Sequence, residues 1–426
     1  MEITFTVDAS ALNRAIGIAS IVAPQVTPQT GGGYLMMVRR DTCDVYSRDG
    51  KHEARSSFPI FDVTGEGAFI LPSEAIKGLG HISGSINFKA TEENGACKVK
   101  YTFGESGSNE RVSFDPRSTH MFERDIAAAQ ESVPPKEFSI KILQFGLGLA
   151  KSFLPKSGDV LDQDVFKTIR IFGNADPELA RANGYMLASN SKEICYVQCP
   201  AFMDKDLSLP AQHLGLIESF LGRSTGNVST YQTDTKVYMI NGRGDVLGWP
   251  RHTIEYKKFS YYAKTDEVVV RVARDQIGSQ LKYMRDSLAK DKDKTKTKIR
   301  MHFDPVTGVI RLSSAEESNT LSSDPVPTEK IEVKVSEPLA MNVNVNQMLH
   351  LFEGIRGDKV EFRIKVIPAD ERRPKDRFMF RTIDGFLLSE DGVVVGGLSE
   401  NPPADTEYPP KGAYECRVTR FAPGID

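Results

Sequence analysis

The stretch FTVDASALNRAIGIA, residues 5–19, joins two different apolar patterns. In residues 5–7 the apolar side chains recur at every second position, which is typical of a strand with one buried face. From Leu12 to Ile16 they recur at a spacing of four, which is typical of a helix. The stretch therefore predicts a strand that leads directly into an amphipathic helix.

The same combination occurs six times along the chain, so it is an internal repeat. If the last strand residue is taken as an anchor, the anchors are Val7, Leu71, Ile140, Leu209, Val272 and Val343. Successive anchors lie 63 to 71 residues apart, and an apolar residue stands five positions after each of them. This regular spacing makes a chance recurrence of common strand-helix pairs the weaker interpretation.

Several short strand-like segments separated by turn residues follow each helix. Each repeat is thus one helix plus a small antiparallel sheet, roughly 65 residues long and too small for a dependable core of its own. We expect the repeats to join in pairs, with linker-like segments near residues 127–135 and 262–266. The sequence predicts an α+β protein of three similar domains, which comprise residues 1–131, 132–264 and 265–426.

The charged residues are distributed unevenly over this pattern. The whole chain has 54 basic and 57 acidic residues, a net charge of −3, which argues against binding nucleic acid through bulk positive charge. The predicted helices, however, carry ten basic and five acidic residues; they are residues 9–21, 73–80, 142–156, 211–223, 273–290 and 345–356. A net +5 on the helices permits polyanion binding, although such an imbalance more often reflects a solvated helix face.

Composition also sets expectations about the compartment. The five cysteines are scattered and odd in number, which argues against a disulfide scaffold and favours a reducing environment; they are Cys43, Cys97, Cys195, Cys199 and Cys416. No apolar run approaches the ~18 residues of a membrane span, and the first residues lack the layout of a secretory signal. We therefore expect a cytoplasmic protein without a membrane partner.

The sequence shows no recognisable catalytic or metal-binding motif. Cys195 and Cys199 have no second Cys or His pair nearby, the seven histidines are scattered singly, and no phosphate-binding loop follows a strand. These observations predict a protein that is not an enzyme and that needs neither a metal nor another cofactor.

Several segments, taken in order, resemble one family. Residues 5–8 (FTVD) open the chain as they do in that family, and residues 182–188 (ANGYMLA) stand where it has TDGHRLA. Residues 255–259 (EYKKF) stand for DYRRV, 341–345 (MNVNV) for the strand before the last helix, and 413–418 (AYECRV) for a terminal AYVVMP. Together they resemble the bacterial DNA polymerase III beta subunit, the replicative sliding clamp, including a divergent phage-encoded form, which would act in the host cytoplasm.

The resemblance implies the DNA clamp fold and a closed ring of two chains, a homodimer with twelve helices around a central hole. Such a ring encircles double-stranded DNA, is opened by a clamp loader, and tethers the replicative DNA polymerase as a processivity factor in DNA replication. A modestly positive inner wall suits a ring that slides, because many tight phosphate contacts would impede it. The candidate DNA-facing residues are Arg14, Lys77, Lys151, Arg223, Lys282, Arg285 and Arg356.

The resemblance also implies a pocket that receives peptide segments of partner proteins. Its residues by position are Gly184, Tyr185, Met186, Leu187, Ile254, Lys258, Phe259, Val418, Thr419, Arg420 and Phe421. Tyr185 and Met186 replace the family's His-Arg pair, which favours a divergent partner motif. Simple core packing is an equally good explanation for Leu187 and Ile254.

The family closes its ring by adding an edge strand of the first domain to the third domain of the other chain. Val112 and Phe114 match that strand, and the resemblance places its partner near Leu281 to Leu288. The alternative to the whole interpretation is a non-catalytic structural or assembly protein built of repeated half-domains, with no DNA role.

Overall fold

The computed structural model describes most of the chain. The described residues are 2–24, 32–79, 81–93, 96–104, 106–112, 126–131, 135–155, 164–173, 184–190, 193–203, 205–252, 268–288, 297–315, 321–333, 338–352, 354–366, 378–398 and 407–423. Within these ranges every helix is too short or too polar to cross a lipid bilayer.

Repeats 1 and 2 each consist of a strand, a helix and three further strands. Repeat 1 contains β1 (Glu2–Asp8), α1 (Ala9–Ala19), β2 (Tyr34–Val38), β3 (Thr42–Arg48) and β4 (Glu53–Pro59), followed by the short β5 (Phe61–Thr64). Repeat 2 contains β6 (Gly67–Leu71), α2 (Ser73–Leu79), β7 (Ser85–Glu93), β8 (Ala96–Phe103) and β9 (Ser106–Val112). A short helix, α3 (126–131), follows.

Repeats 3 and 4 have the same order. Repeat 3 contains β10 (Lys136–Ser139), α4 (Ile140–Ala150), β11 (Thr168–Phe172), β12 (Tyr185–Ser189) and β13 (Ile194–Gln198). Repeat 4 contains β14 (Leu207–Pro210), α5 (Leu214–Gly222), β15 (Asn227–Gln232), β16 (Lys236–Asn241) and β17 (Val246–Pro250). Single 3-10 turns follow α4 (Lys151–Phe153) and β13 (Pro200–Phe202) and precede β11 (Asp164–Lys167) and α5 (Ala211–His213).

Repeats 5 and 6 complete the series. Repeat 5 contains β18 (Val268–Ala273), α6 (Arg274–Leu288), β19 (Lys298–Asp304), β20 (Val309–Ser314) and β21 (Val326–Val333). Repeat 6 contains β22 (Leu339–Asn344), α7 (Val345–Phe352), β23 (Lys359–Val366), β24 (Phe378–Ser389), the hairpin strand β25 (Val394–Gly397) and β26 (Ala413–Pro423). The α+β fold class and the six strand-helix pairs predicted from the sequence are therefore confirmed.

Hydrogen bonding of the first strands joins the repeats in twos. In repeats 1 and 2, β1 pairs with β7 and β6 pairs with β2, so each repeat lends its first strand to the sheet of the other. The same exchange links β10 with β15 and β14 with β11, and again β18 with β23 and β22 with β19. This exchange explains why a single repeat lacks a complete sheet.

By contact density the chain divides into two compact units. Unit 1 comprises residues 1–140 and 212–253, and unit 2 comprises residues 141–211 and 254–426. Unit 1 holds a five-stranded and an eight-stranded sheet, and unit 2 holds a thirteen-stranded sheet. Each unit contains part of the predicted second domain, and the boundaries of the three predicted domains remain a prediction.

The cores are formed by the inner faces of the sheets and the apolar stripes of the helices. In unit 1, Leu12 of α1 is fully buried beside the stacked rings of Phe5 and Phe88, whose centroids lie 5.0 Å apart. In unit 2, Ile277 of α6 and Met348 of α7 belong to one core cluster. Three of these, Leu12, Ile277 and Met348, lie five positions after an anchor, as the repeat pattern requires.

The side chain of Asp8 caps the first helix. Its carboxylate accepts hydrogen bonds from the backbone N–H groups of Ser10 at 2.8 Å and Ala11 at 3.3 Å. The hydroxyl of Ser10 also donates to it, and these bonds lower the pKa of Asp8. The cap fixes the position where the strand ends and the helix begins.

Candidate nucleic-acid interface and partner-binding surface

The helices carry less positive charge than their predicted ranges suggested. Within the observed bounds of α1, α2, α4, α5, α6 and α7 there are six basic and four acidic residues, a net +2. The difference arises because the helices are shorter. Lys151, Arg223 and Arg356 lie just beyond the C-terminal ends of α4, α5 and α7, where a cation also interacts favourably with the helix dipole.

Helix α6 carries the most basic residues among the described helices, together with two exposed carboxylates, Asp275 and Asp286. Lys282 and Arg285 are both exposed on it, and their contact with DNA remains a prediction. The structure adds Arg274, which the sequence reasoning counted as basic without placing it on this surface. A side-chain hydrogen bond from Arg274 to Asp275, 2.9 Å from Nε to Oδ1, raises the pKa of Arg274 and lowers that of Asp275.

Arg14 makes internal contacts in unit 1. Its Nη1 lies 3.3 Å from each carboxylate oxygen of the buried Asp245, and its Nη2 donates to the carbonyl of Ser57 at 2.6 Å. About a third of the Arg14 side chain is exposed. The structure therefore gives Arg14 a structural role that sequence reasoning missed, and its contact with DNA remains a prediction.

The other predicted DNA-facing residues fall in different settings. The guanidinium of the exposed Arg223 donates to the carbonyl of Gly17 in the last turn of α1. Lys151 and Arg356 are exposed, and the backbone N–H of Arg356 donates to Asp384 at 2.7 Å. The side chain of Lys77 lies outside the described part of the chain.

The predicted peptide pocket corresponds to one face of the β12–β13–β26 sheet in unit 2. Leu187 pairs with Tyr196, and Tyr196 pairs with Thr419 of β26, so the three residues lie side by side. The register then places Tyr185 and Phe421 on the same face. The structure thus brings four predicted residues together: Tyr185, Leu187, Thr419 and Phe421.

An aromatic cluster covers that face. The ring of Tyr185 stacks on Phe172 at 4.8 Å and lies 5.5 Å from the ring of Tyr196, which packs edge-on against Phe421 at 5.7 Å. Leu187 and Ile194 complete the cluster. Phe172, Ile194 and Tyr196 were missed from the sequence, although alternation along β13 could have revealed Ile194 and Tyr196.

Met186, Val418 and Arg420 lie on the opposite face of the same strands. All three are almost fully buried. A side chain at Gly146 of α4 would collide with Met186, which shows that this face packs against the helix. These three residues therefore do not join the aromatic cluster. Its members Tyr185, Leu187 and Phe421 are themselves 7%, 3% and 1% exposed, and the pocket role of both sets stays a prediction.

Gly184, at the start of β12, has φ +74°. A Cβ there would come within 2.4 Å of the carbonyl carbon of Phe202, so only glycine fits. The remaining predicted pocket residues, Ile254, Lys258 and Phe259, lie outside the described residues.

The predicted chain-chain contact is partly corrected. Residues 281–288 belong to α6 and do not form a strand, and Leu281 and Leu288 are buried in the core of unit 2. Their side chains therefore pack internally, and the exposed apolar residue of this helix is Tyr283, with half of its surface accessible. Val112 ends β9, the last strand of its five-stranded sheet, while its side chain and all of Phe114 lie outside the described residues.

The scattered sequence positions of the histidines suggested that each is isolated, but the structure brings some of them together. In unit 1, His52 lies between Asp49 and His213, with 2.7 Å from His52 Nδ1 to Asp49 Oδ2 and 2.7 Å from His52 Nε2 to His213 Nδ1. Gln212 Nε2 lies 3.1 Å from His213 Nε2 and 3.4 Å from His252 Nε2. Burial, with the neighbouring His52 and His252, lowers the pKa of His213 to about 4, so this ring is neutral at pH 7.

No group of His, Cys, Asp or Glu in the described ranges is arranged to hold a metal ion. The described cysteines are buried and free. Burial raises the pKa of Cys195 to about 11, so that thiol is protonated and a poor nucleophile at pH 7.

The structure matches solved clamp structures over its whole length. The DNA polymerase sliding clamp from Pseudomonas aeruginosa has a TM-score of 0.65 at 11% identity, covering 100% of this chain and 99% of that one. The clamp from Caulobacter crescentus gives 0.64 at 12%, covering 99% of each chain. The DNA polymerase III beta subunit from Thermotoga maritima gives 0.59 at 12%, covering 100% and 99%. No protein-family model matches the sequence, and neither does any curated protein compared with it.

At these identities the comparisons establish the fold. The chain has the architecture of the DNA clamps, α+β proteins built of repeated helix-plus-sheet halves. Within that class its fold is that of the bacterial DNA polymerase III beta subunit, and the resemblance inferred from the sequence is confirmed at this level.

Proposed function

We propose that this protein is a DNA sliding clamp, a non-catalytic processivity factor that forms a ring around duplex DNA. The proposal rests mainly on a regularity in strand pairing, which leaves β9 at the edge of its sheet and points to the segment that opens β21 as its counterpart. The full-length structural match supports the same function.

The regularity concerns the third strand after each helix. The third strand of repeat 1, β4, pairs antiparallel with that of repeat 4, β17. The third strand of repeat 3, β13, pairs antiparallel with β26, the corresponding strand of repeat 6 when the short hairpin strand β25 is not counted. Repeats 1 and 3 therefore each pair with the repeat three places later.

If repeat 5 follows the same rule, its partner is the repeat in the eighth position. One chain contains six repeats, so that partner must come from a second chain. In a ring of two chains, the eighth position is occupied by repeat 2 of the second chain. The third strand of that repeat, β9, lies at the edge of its sheet in the described part of the molecule. Pairing of β9 with residues 321–327, which precede and open β21, would join two chains head to tail and close a ring of twelve repeats. Pro325 and Pro327 lack a backbone N–H, so the ladder at this junction would be incomplete.

A homodimer is the first expected result of this arrangement. The chain has a mass of 47.2 kDa, so light scattering at micromolar concentration should give about 94 kDa. Proline at Glu110 or at Arg111, as two separate variants, should shift the mass towards the monomer in at least one case. Neighbouring N–H groups of a strand point to opposite sides, so one of the two variants removes an outward donor. A stable monomer of the unmodified protein would refute ring closure.

Retention on closed DNA tests the function itself. The protein, once loaded by its clamp loader, should stay on a nicked circular duplex and run off the same molecule after linearisation. Replacing Lys151, Arg223 and Arg285 together by Glu should reduce polymerase processivity several-fold through charge repulsion. Equal retention on circular and linear DNA would contradict the proposal and favour a structural protein without a DNA role.

The partner site of the proposed clamp is the face of β12, β13 and β26 that carries the aromatic cluster. Its aromatic and apolar side chains suit the anchoring residues of a short peptide from the replicative DNA polymerase or the clamp loader. Arg381 lies beside it, with its guanidinium carbon 5.8 Å from the Phe421 ring centroid. A pull-down with the C-terminal peptide of the cognate polymerase, repeated with Phe259→Ala and Phe421→Ala, measures this contact.

A further inference from the structure

A cleft of about 520 Å³ lies between α6 and the end of α7 in unit 2. One wall is a face of α6 that carries Arg274, Lys282 and Arg285. The other side is apolar and consists of Leu349, Phe352 and Ile355. The cleft thus combines a cationic rim with an apolar floor. Phe352 and Ile355 belong to the core of unit 2 and are 7% and 5% exposed, so the floor offers their edges to the cleft.

The rim charge is positive on balance. Three cations line the cleft with one carboxylate, Asp275, which is hydrogen-bonded to Arg274, and Asp286, outside the lining, accepts from Arg285 Nε at 2.9 Å. Arg274 is also anchored across the cleft, because its Nη1 donates to the carbonyl of Ile355 at 3.1 Å. Lys282 and Arg285 are exposed and extend the charge along the helix. From Arg274 to Arg285 the helix rises about 16 Å, which suits a row of phosphates better than one small anion.

Gly278 lies at the centre of the cationic wall. Glycine inside a helix costs about 1 kcal/mol relative to alanine. A Cβ at Gly278 would meet no heavy atom within 4 Å, so no packing inside the protein requires glycine there. The absence of a side chain at Gly278 leaves the α6 backbone accessible to a ligand in the cleft.

We propose that this cleft binds unpaired nucleotides of single-stranded DNA, with bases on the apolar floor and phosphates on the α6 cations. The inference rests on the proposed clamp function and adds a second form of DNA to it. A base within a duplex is stacked and paired, so it cannot reach an apolar floor, whereas an unpaired base can. The site would hold the clamp at the boundary between duplex and single strand.

Fluorescence anisotropy with a 5′-fluorescein dT12 oligonucleotide tests the site on the full-length protein. Gly278→Leu fills the cleft, keeps all charges and favours the helix, so it should weaken dT12 binding at least tenfold without loss of thermal stability. Gly215→Leu is the matched control, because Gly215 is an exposed glycine of α5 whose Cβ also meets no atom within 4 Å. The control should bind dT12 within twofold of the unmodified protein.

The charge contribution is measured from the salt dependence. Lys282→Gln should reduce the slope of log K against log salt by about 0.7, the value for one phosphate contact of a single strand. Arg311→Gln removes an exposed cation from β20 in the same unit and should leave the slope unchanged.

Two results would overturn the inference. One is dT12 binding by Gly278→Leu that equals that of the unmodified protein. The other is a Gly278→Leu variant whose affinity for dT12 and affinity for a blunt 12-base-pair duplex fall by the same factor, which would make the cleft part of a general DNA surface. The Gly278→Leu variant should be retained on circular duplex DNA as well as the unmodified protein is. If the unmodified protein itself is not retained there, the clamp function is refuted, whatever the result with dT12.

Discussion

Replacing Gly184 by alanine should destabilise unit 2 by about 4 kcal/mol. The residue has φ +74°, a conformation that costs a residue with a Cβ roughly 1 kcal/mol or more. The new Cβ would also lie 2.4 Å from the carbonyl carbon of Phe202 and 2.6 Å from the backbone nitrogen of Met203. Backbone atoms cannot turn aside as a flexible side chain can, so β12 and the 3-10 turn after β13 must separate.

Gly226→Ala separates the two causes of that loss. Gly226 has φ +77°, almost the same as Gly184, but a Cβ there would meet no heavy atom within 4 Å. We expect this control to cost only about 1 kcal/mol. Urea unfolding followed by far-ultraviolet circular dichroism measures the stability of both variants. Equal shifts of the two unfolding midpoints would show that the close contact of the new Cβ with residues 202 and 203 costs no stability.

The second large effect is expected at Asp245. Its side chain is buried in unit 1 and accepts from Arg14, from the hydroxyl of Ser56 and from Asn241 Nδ2, the last at 2.9 Å. Asp245→Ala removes the acceptor that these donors share, although Asn241 Nδ2 keeps a hydrogen bond to Ser224 Oγ at 3.0 Å. A loss of about 3 kcal/mol follows from the cost of unsatisfied buried polar groups and a broken ion pair.

The single tryptophan makes this loss measurable in unit 1. Trp249 is buried in β17, four residues from Asp245, so its fluorescence reports the unfolding of this unit. Asp234→Ala, at an exposed position in the turn between β15 and β16, is the matched control and should change stability by less than about 0.5 kcal/mol. A midpoint for Asp245→Ala that coincides with the control would show that the network contributes nothing.

Arg14 links this result to DNA binding. If the Asp245 contact is its main role, Arg14→Met should lower the midpoint of the Trp249 transition while polymerase processivity falls little. The opposite pattern, normal stability with reduced processivity, would favour the DNA-facing role predicted from the sequence.

The repeats could be read from the sequence because they are encoded locally. A period of two that changes to a period of about 3.6 after each anchor depends on neighbouring residues only. Leu12, Leu214 and Ile277, each five positions after an anchor, are all buried in the structure. The helix ends were less predictable, because the last turn of a helix has no periodic marker, and the charge assigned to the helices changed with them.

The candidate sites needed the tertiary structure, because their residues are far apart in the chain. Arg14 and Asp245 are separated by 231 residues, and His52 and His213 by 161, so no spacing rule connects them. Leu281 and Leu288 were assigned to a chain-chain contact by position alone, whereas the fold buries both in the core of unit 2.

The sequence by itself determined the six strand-helix repeats, the apolar stripe of each helix and the α+β class, since these depend on side-chain periodicity over a few residues. The tertiary structure alone decided which third strands pair, which edges are left over, and where Arg274, Lys282 and Arg285 meet the apolar end of α7. The physical reason is that strand pairing uses backbone groups, which are the same at every residue except proline and therefore leave little mark in the sequence.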